Sequence, residues 1–495
     1  MIDQDKCIGC HACTTACKSE NQVPLSVTRT YVKYVDVGRF PQARRAYQVT
    51  RCNQCESAPC VTACPTSAMY KRPDGIVDFD KSVCIGCKAC MAACPYDAIF
   101  INPTDHSAEK CNFCAHRIDV GLEPACVVVC PTEAIIVGNL QDPHAKITQL
   151  VQREAVTSRR PEKETRPLLF YKGAHAATLD PLAARRPGGG LFMWSQQRSG
   201  GRFVVSGHPD QANSSAAALL SYDTAHKMPW DWRVSLYTWT KSVSAGVYLV
   251  AALLLLWGAL AADSLLWRWG VPVMAGGFLA LTGGLLIGDL EHPERFYLIF
   301  ARPQWRSWLV KGACVITAYA ALLALHVAAT LAGAASLQRL LIVPGIPIAA
   351  MTAVYTAYLF AQAKARDLWQ SPLLPAHLLV QACLAGSAAL LLPAWWLGDT
   401  AVIAPLLWLL AAASAAHLLL VAGEVTLPHV TAHARLATRE MTRGRFRVWF
   451  RLGLVLIAAG TIGPWLGIAA APVALAGLIA HEHAYVQAGQ AVPLA

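Results

Sequence analysis

Sixteen of the 18 cysteines lie between Cys7 and Cys130, in four groups spaced as metal ligands are. The first is Cys7, Cys10, Cys13 and Cys17, C-x2-C-x2-C-x3-C. The second is Cys52, Cys55, Cys60 and Cys64, C-x2-C-x4-C-x3-C, followed by Pro65. The third, Cys84, Cys87, Cys90 and Cys94, repeats the first spacing and is followed by Pro95. The fourth is Cys111, Cys114, Cys126 and Cys130, C-x2-C-x11-C-x3-C, then Pro131. A C-x2-C-x2-C loop wraps three thiolates around one iron–sulfur cubane, and the cysteine on the following helical turn points away toward a second cluster. The proline then turns the chain out of that helix. Four such groups predict four [4Fe–4S] clusters, and the chemistry is one-electron transfer. Zinc sites use pairs of C-x2-C rather than triplets closed by C-x3-C-P. Disulfides belong to short secreted domains, and loops this tight pair poorly.

The elements that must position these ligands are short. Apolar runs at 75–79 and 98–101 read as strands, and the C-x3-C-P segments read as short helices. Together they predict two ferredoxin-like α+β units in tandem. Residues 1 to about 145 resemble the four-cluster ferredoxin subunit of the complex iron–sulfur molybdoenzymes, the dimethyl sulfoxide and polysulfide reductase group. The segments RCNQCESAPCVTACPTSAMYKRPDGIVDFDKSVCIGCKACMAACPYDAIF and KCNFCAHRIDVGLEPACVVVCPTEAI carry the resemblance. It implies that group one pairs with group four, and group two with group three. Cys7, Cys10 and Cys13 would then share a cluster with Cys130, and Cys111, Cys114 and Cys126 with Cys17. Cys84, Cys87 and Cys90 would join Cys64, while Cys52, Cys55 and Cys60 would join Cys94. Some members of that group lack a ligand in the third set; Cys84 is present here, so no three-iron cluster is expected.

The rest of the chain is of another kind. Hydrophobic residues make up 55% and charged residues 15% of the 495 residues, against about 25% charged in ordinary soluble domains. Disorder and nucleic-acid-binding arms are thereby excluded. Residues 1–140 are charge-neutral, so the net +11 lies outside the cysteine-rich part, which suits a membrane surface better than DNA. No apolar leader or twin-arginine pair opens the chain, so export would rest on a partner's signal. Residues 146–233 lack sustained periodicity. Arg159, Arg160 and Pro161, Arg185 to Pro187 with the glycines at 188–190, and 199–201 all read as loop. This stretch is expected to be a tether, or a strap along the membrane anchored by apolar residues at 168–171 and 191–194.

Stretches long enough to cross a bilayer occur at about 237–260, 271–289, 308–333, 340–362, 373–396, 401–423 and 450–470. An eighth, at about 472–490, is interrupted by His481, Glu482 and His483. The fold class expected is therefore an α+β tandem ferredoxin-like domain with four [4Fe–4S] clusters (1–145), a linker (146–233), and an all-α transmembrane bundle of about eight helices (234–495). Loops on the side where residue 234 enters hold twelve Lys and Arg, including Arg295, Arg306, Arg439 and Arg447; the opposite loops hold Arg268 and Arg339. Positive loops stay inside, which predicts a multi-pass protein of the bacterial inner membrane with its ferredoxin domain on the cytoplasmic side.

Ionisable groups inside spans are costly and tend to be functional. Lys241, Asp289, Tyr355, His377, His417 and Glu424 all fall in the half of the bundle nearest that positive side; His326 stands apart. Taken singly, each has an ordinary explanation: Lys241 snorkelling to the interface, the histidines as satisfied core residues. As a set they fit a quinone site, since a quinone takes two electrons with two protons and clusters carry no protons. DLEHPERFYLIFARPQWRSWLVKGA, residues 289–313, resembles the second-to-third-span loop of NrfD-type membrane anchors, with its D-x-x-x-P-x-R-F core on Asp289, Pro293, Arg295 and Phe296. That resemblance implies quinone binding by this loop and the adjacent first and fourth spans, without haem; Lys241 replaces a glycine common in that family. The quinone site expected is Lys241, Asp289, Arg295, Tyr355, His377 and His417, for menaquinone or ubiquinone.

These readings converge on an electron-transfer and membrane-anchor subunit. It would connect a separate molybdopterin or tungstopterin catalytic subunit to the quinone pool, with no nucleic acid as partner and no substrate chemistry of its own. The alternatives are a redox-coupled proton-translocating module, for which His326 and Asp399 hint at a path, a haem anchor with His377 and His417 as axial ligands, and a stand-alone membrane ferredoxin.

Overall fold

The computed structural model describes residues 1–38, 40–185 and 218–494. The chain divides into unit 1, Met1–Pro229 with Pro493–Ala495, and unit 2, Trp230–Val492.

Unit 1 is built from short elements. Strands β1 (Ile2–Asp3), β2 (Thr30–Val37), β3 (Arg44–Arg51), β4 (Met69–Lys71), β5 (Val77–Phe79), β6 (Ile99–Ile101), β7 (Ala108–Lys110), β8 (Val156–Thr157), β9 (Tyr171–Lys172) and β10 (Leu219–Tyr222) form four small sheets. The hairpins β4–β5 (Met69 opposite Phe79) and β6–β7 (Ile99 opposite Lys110) each follow a short helix, Pro59–Ala63 and Ala89–Ala93. This helix-then-hairpin repeat is the tandem ferredoxin-like pattern, with the C-x3-C segments on helices and strands at 77–79 and 99–101. The largest sheet has β2 in the centre, antiparallel to β3 and β10.

The cysteine loops need left-handed backbone. Gly9 (φ 70°) and His11 (φ 60°) in the first loop recur as Gly86 (φ 67°) and Lys88 (φ 61°) in the third. A side chain at Gly9 would strike the ring of Tyr47 as well, so glycine is required there twice over.

The stretch expected to be a linker or membrane strap folds differently. Residues 146–185 and 218–223 belong to unit 1: β9 pairs with β1, β8 with β9, and β10 with β2. Leu169 and Tyr171, expected as membrane anchors, are buried with Ile2, Val32 and Val49, and the Tyr171 hydroxyl donates to Val49 O at 3.1 Å. Arg160 donates to Pro95 O at 2.9 Å. Strands of two residues leave no periodicity to read, which is why this part resembles loop in the sequence. The anchors expected at 191–194, the glycines at 188–190 and the 199–201 stretch lie outside the described residues.

Unit 2 is a helical bundle. Its long helices are, in order, Trp232–Leu256, Val271–Gly288, Trp308–Leu331, Ile342–Gln362, Leu374–Trp396, Ile403–Thr426, Arg447–Thr461 and Ala470–Gly489, here numbered first to eighth. Seven membrane-length apolar helices are found among the described residues, making this a multi-pass membrane protein. The span expected at 450–470 is the exception. Its helix has 15 residues, which reach about 22 Å, short of the roughly 30 Å hydrocarbon core. Gly463 and Pro464 interrupt it, and the eighth helix, the less secure by sequence, is the longer at 20 residues. Caps fix the entries: Asp231 accepts from Arg233 N at 2.8 Å and Ser307 from Leu309 N at 3.3 Å. The first helix lies at the centre, packed against the second, fourth, fifth and eighth. Gly246 on it meets Gly386 on the fifth helix so closely that a methyl on either would collide with the other's backbone or with Ala382 O.

Candidate iron–sulfur centres and buried polar groups

Three cavities in unit 1 are each lined by four cysteines. One holds Cys64, Cys84, Cys87 and Cys90; the second Cys52, Cys55, Cys60 and Cys94; the third Cys17, Cys111, Cys114 and Cys126. In each, three cysteines come from one group and the last from another. The second and third C-x3-C segments divide their cysteines between cavities: Cys60 and Cys64, flanking one helical turn, line different ones, as do Cys90 and Cys94. Cys7, Cys13, Cys126 and Cys130 share one packed region, and Cys7 interacts with Cys10 and Cys130.

The surroundings suit thiolates. Backbone N–H groups donate to sulfur from Met69 to Cys64 (3.4 Å), Ala108 to Cys84 (3.4 Å) and Ala134 to Cys130 (3.3 Å). The Asn21 amide lies 3.7 Å from Cys17 Sγ and 3.6 Å from Cys114 Sγ. Arg51, 5% exposed, donates through Nη1 to Cys126 Sγ at 3.2 Å and also interacts with Cys13 and Cys111. Burial pushes the thiols up, Cys13, Cys94 and Cys111 to about 11 and Cys55 to about 12. Without metal these groups would be neutral; iron is what displaces their protons. None of the 18 cysteines forms a disulfide. The donor set and the cradles fit [4Fe–4S] clusters.

In unit 2 the six residues expected to form one site separate into groups. Lys241 is fully buried, not snorkelled to an interface. Its Nζ donates to Ala353 O and Thr356 Oγ1, both at 2.7 Å, and lies 5.0 Å from the Tyr355 ring centre. Glu482, from the eighth helix, is the carboxylate paired electrostatically with it. Tyr237, one turn before Lys241, interacts with Tyr355, Asp289 and Glu482. Asp289 caps the second helix, and Arg295 ends a short turn at 293–295 in the loop that follows. His377 and His417 form a separate pair, Nε2 to Nδ1 at 3.0 Å, with His481 against both rings. That direct contact leaves no slot for a porphyrin between the two rings, so the haem alternative does not fit. His326 packs against Trp267 and Tyr248, away from both groups. An open concavity lined by Trp269, Val273, Met274, Leu392, Trp395 and Trp396 carries no titratable group.

Sequence reasoning does not single out Tyr237, Thr356 or Glu482, and it takes His481 and Glu482 only as interruptions of a span. A usable signal is nonetheless present: an ionisable pair within an apolar run is a site by default.

Cysteine quartets in a tandem ferredoxin-like unit, with a multi-pass helical domain, define an iron–sulfur electron-transfer protein that carries its own membrane anchor. Residues 44–140 match the 4Fe-4S dicluster domain, residues 1–20 the 4Fe-4S binding domain, and residues 221–472, just over half of the chain, match polysulphide reductase, NrfD. The chain belongs to the NrfD polysulphide reductase family. Its first part is similar to a tetrathionate reductase subunit of Salmonella typhimurium, 42% identical over 37% of this chain and 76% of the relative. It is also similar to a polysulfide reductase polypeptide of Wolinella succinogenes (42%; 34% and 90%) and to an arsenate respiratory reductase iron-sulfur subunit of a Shewanella species (35%; 34% and 94%).

Proposed function

We propose that the chain passes electrons between a separate pterin-bearing catalytic subunit and a membrane quinone, with four [4Fe–4S] clusters in unit 1 and the quinone headgroup held in unit 2. The observation carrying this reading is the assortment of cysteines into cavities, three from one group and one from its partner. Cys7, Cys10 and Cys13 with Cys130 would complete the fourth set. When bound, the clusters supply one-electron relays. The backbone donors at Met69, Ala108 and Ala134 and the buried Arg51 guanidinium stabilise negative charge on the sets that contain Cys64 and Cys84, Cys130, and Cys126.

For the quinone, Lys241, Tyr355, Asp289 and Arg295 are the candidate partners of its two oxygens, with Glu482 as a carboxyl able to exchange protons with Lys241. Support comes from the burial of Lys241, Tyr355 and Asp289 among apolar helices, where hydrogen bonds to a headgroup are strong, with Arg295 part-exposed in the adjoining loop. The relatives are named as subunits of reductases, which supports a catalytic partner of the molybdopterin or tungstopterin class. The bias of Lys and Arg supports a bacterial inner membrane with the residues before the first helix on the cytoplasmic side.

Iron and acid-labile sulfide should each approach about sixteen per chain, four for each of four cubanes; about twelve would remove one cluster from the scheme. In the purified membrane protein, quinol should reduce the clusters. Lys241→Met should slow that step about tenfold or more at unchanged iron content, and an unaltered rate would place the quinone elsewhere.

A further inference from the structure

We propose that His377, His417 and His481 bind one divalent first-row transition-metal ion of borderline softness inside the bundle of unit 2, with the Glu424 carboxylate behind His377. The site goes beyond the quinone reading and does not depend on it.

The three histidines come from the fifth, sixth and eighth helices and are 4%, 0% and 1% exposed. One ring nitrogen from each lies within 4.8 Å of the others. Ring centres are 4.7 Å apart for His377 and His417, 4.7 Å for His417 and His481, and 5.8 Å for His377 and His481. The single N–N hydrogen bond between His377 and His417 uses one lone pair and one N–H. His417 Nε2 and both ring nitrogens of His481 have no hydrogen-bond partner. Glu424, 9% exposed in its side chain, places Oε2 3.9 Å from His377 Nδ1, and its carboxylate also interacts with Tyr485. His417 and Glu424 are two helical turns apart and share a face of the sixth helix.

Buried lone pairs left empty in a bundle interior are costly, because lipid supplies no donor. A cation satisfies several of them at once. Three neutral imidazoles, with a carboxylate beside the outer nitrogen of one, are a ligand set of Zn²⁺ and its neighbours, and the set lacks the thiolates that would favour softer ions. Tetrahedral ligands at about 2.0–2.1 Å from zinc lie roughly 3.3–3.4 Å apart, so ring rotations would be needed to draw the nitrogens together. Phe450 and Tyr485 flank His481. These rings leave the ion dry on that side.

The test uses the full chain purified in detergent, briefly chelated to clear loose metal and then loaded with Zn²⁺. One zinc per chain should be retained. Its X-ray absorption edge should show nitrogen and oxygen neighbours at about 2.0–2.1 Å with imidazole outer-shell scattering, and no sulfur at about 2.3 Å. His417→Ala and His481→Gln should each weaken zinc retention at least tenfold while the iron count and cluster spectra stay unchanged. Zinc surrounded by sulfur would assign it to the cysteine sets and overturn the proposal. So would retention equal to the wild type in both variants, or no zinc retained at all, which would leave the triad to proton handling. Should a variant fail to fold, the absorption spectrum of the wild type decides the matter by itself.

Discussion

At the scale of single residues, the chain places charge where its surroundings are dry, and the partner decides what that charge does. His226 in unit 1 is an example outside both the cysteine sets and the bundle. Burial alone would disfavour its imidazolium, but Asp97 at 2.6 Å and Asp223 at 3.1 Å outweigh that and hold the group at about 9. A value above the unfolded 6.5 means the stabilisation is complete below about pH 6.5 and is lost as pH rises through 9. Its size is at most roughly 3–4 kcal/mol, since a tenfold change in proton affinity corresponds to about 1.4 kcal/mol. The midpoint of thermal bleaching of the clusters should therefore fall between about pH 6.5 and 9 in the wild type. His226→Gln should flatten that slope, and an identical slope in the variant would dismiss the ion pair as its cause. Arg51 shows the same logic beside sulfur: one residue before Cys52 it looks like an ordinary charged loop residue, and only burial against Cys126 makes it part of a cluster environment.

At the scale of elements, short local rules and close packing divide the labour. The four-residue step from Cys60 to Cys64 spans one helical turn, so it sends two sulfurs to different cavities whatever surrounds it. Helix contacts in unit 2 depend instead on small residues. Gly246 meets Gly386 without room for a β-carbon, in an environment where backbone proximity and dispersion hold helices together. Gly246→Leu should force the first and fifth helices apart, costing on the order of 1–3 kcal/mol or more for overpacking. The expected result is a sharp drop in detergent-stable, helix-retaining protein, checked by size-exclusion yield and circular dichroism. A wild-type yield would show that this contact is looser than it looks. The eighth helix carries the converse lesson. His481, Glu482 and His483 weaken it as a span by composition, yet the first two are buried in the bundle interior beside other ionisable side chains, His377 and His417 for one and Lys241 for the other.

At the scale of the whole molecule, each unit has its own source of cohesion. Unit 1 has little conventional core. Cys55, Cys60, Cys64, Cys84, Cys90 and Cys94 form much of one apolar cluster, and Cys13 and Cys126 contribute to another. Clusters bound in the cavities they line would tie these regions together. Unit 2 rests on a continuous aliphatic core running from Val243 through Leu390 to Leu478, with backbone hydrogen bonds satisfied within each helix. Stripping iron with a chelator under reducing conditions should therefore open unit 1 to protease while leaving the bundle intact. Limited digestion should yield a membrane fragment beginning after about residue 230, the boundary between the units. A protease-resistant unit 1 after complete iron loss would mean that its sheets suffice on their own.

What the amino-acid order determined by itself is whatever depends on neighbours a few residues apart. The cysteine spacing, the helix-then-hairpin repeat and the apolar lengths of most spans are of this kind, because loop and helix geometry convert such spacings directly into direction. Boundaries were less legible: two-residue strands hid the membership of 146–185 in unit 1, and the break at Gly463 and Pro464 lay inside an unbroken apolar run. The grouping of Lys241 with Glu482, and of His377 and His417 with His481, could be decided only by the tertiary structure. Each brings together side chains from helices far apart in the chain, and no local rule says which faces of separate helices will meet. Packing of the bundle alone does that, through contacts such as Gly246 on Gly386.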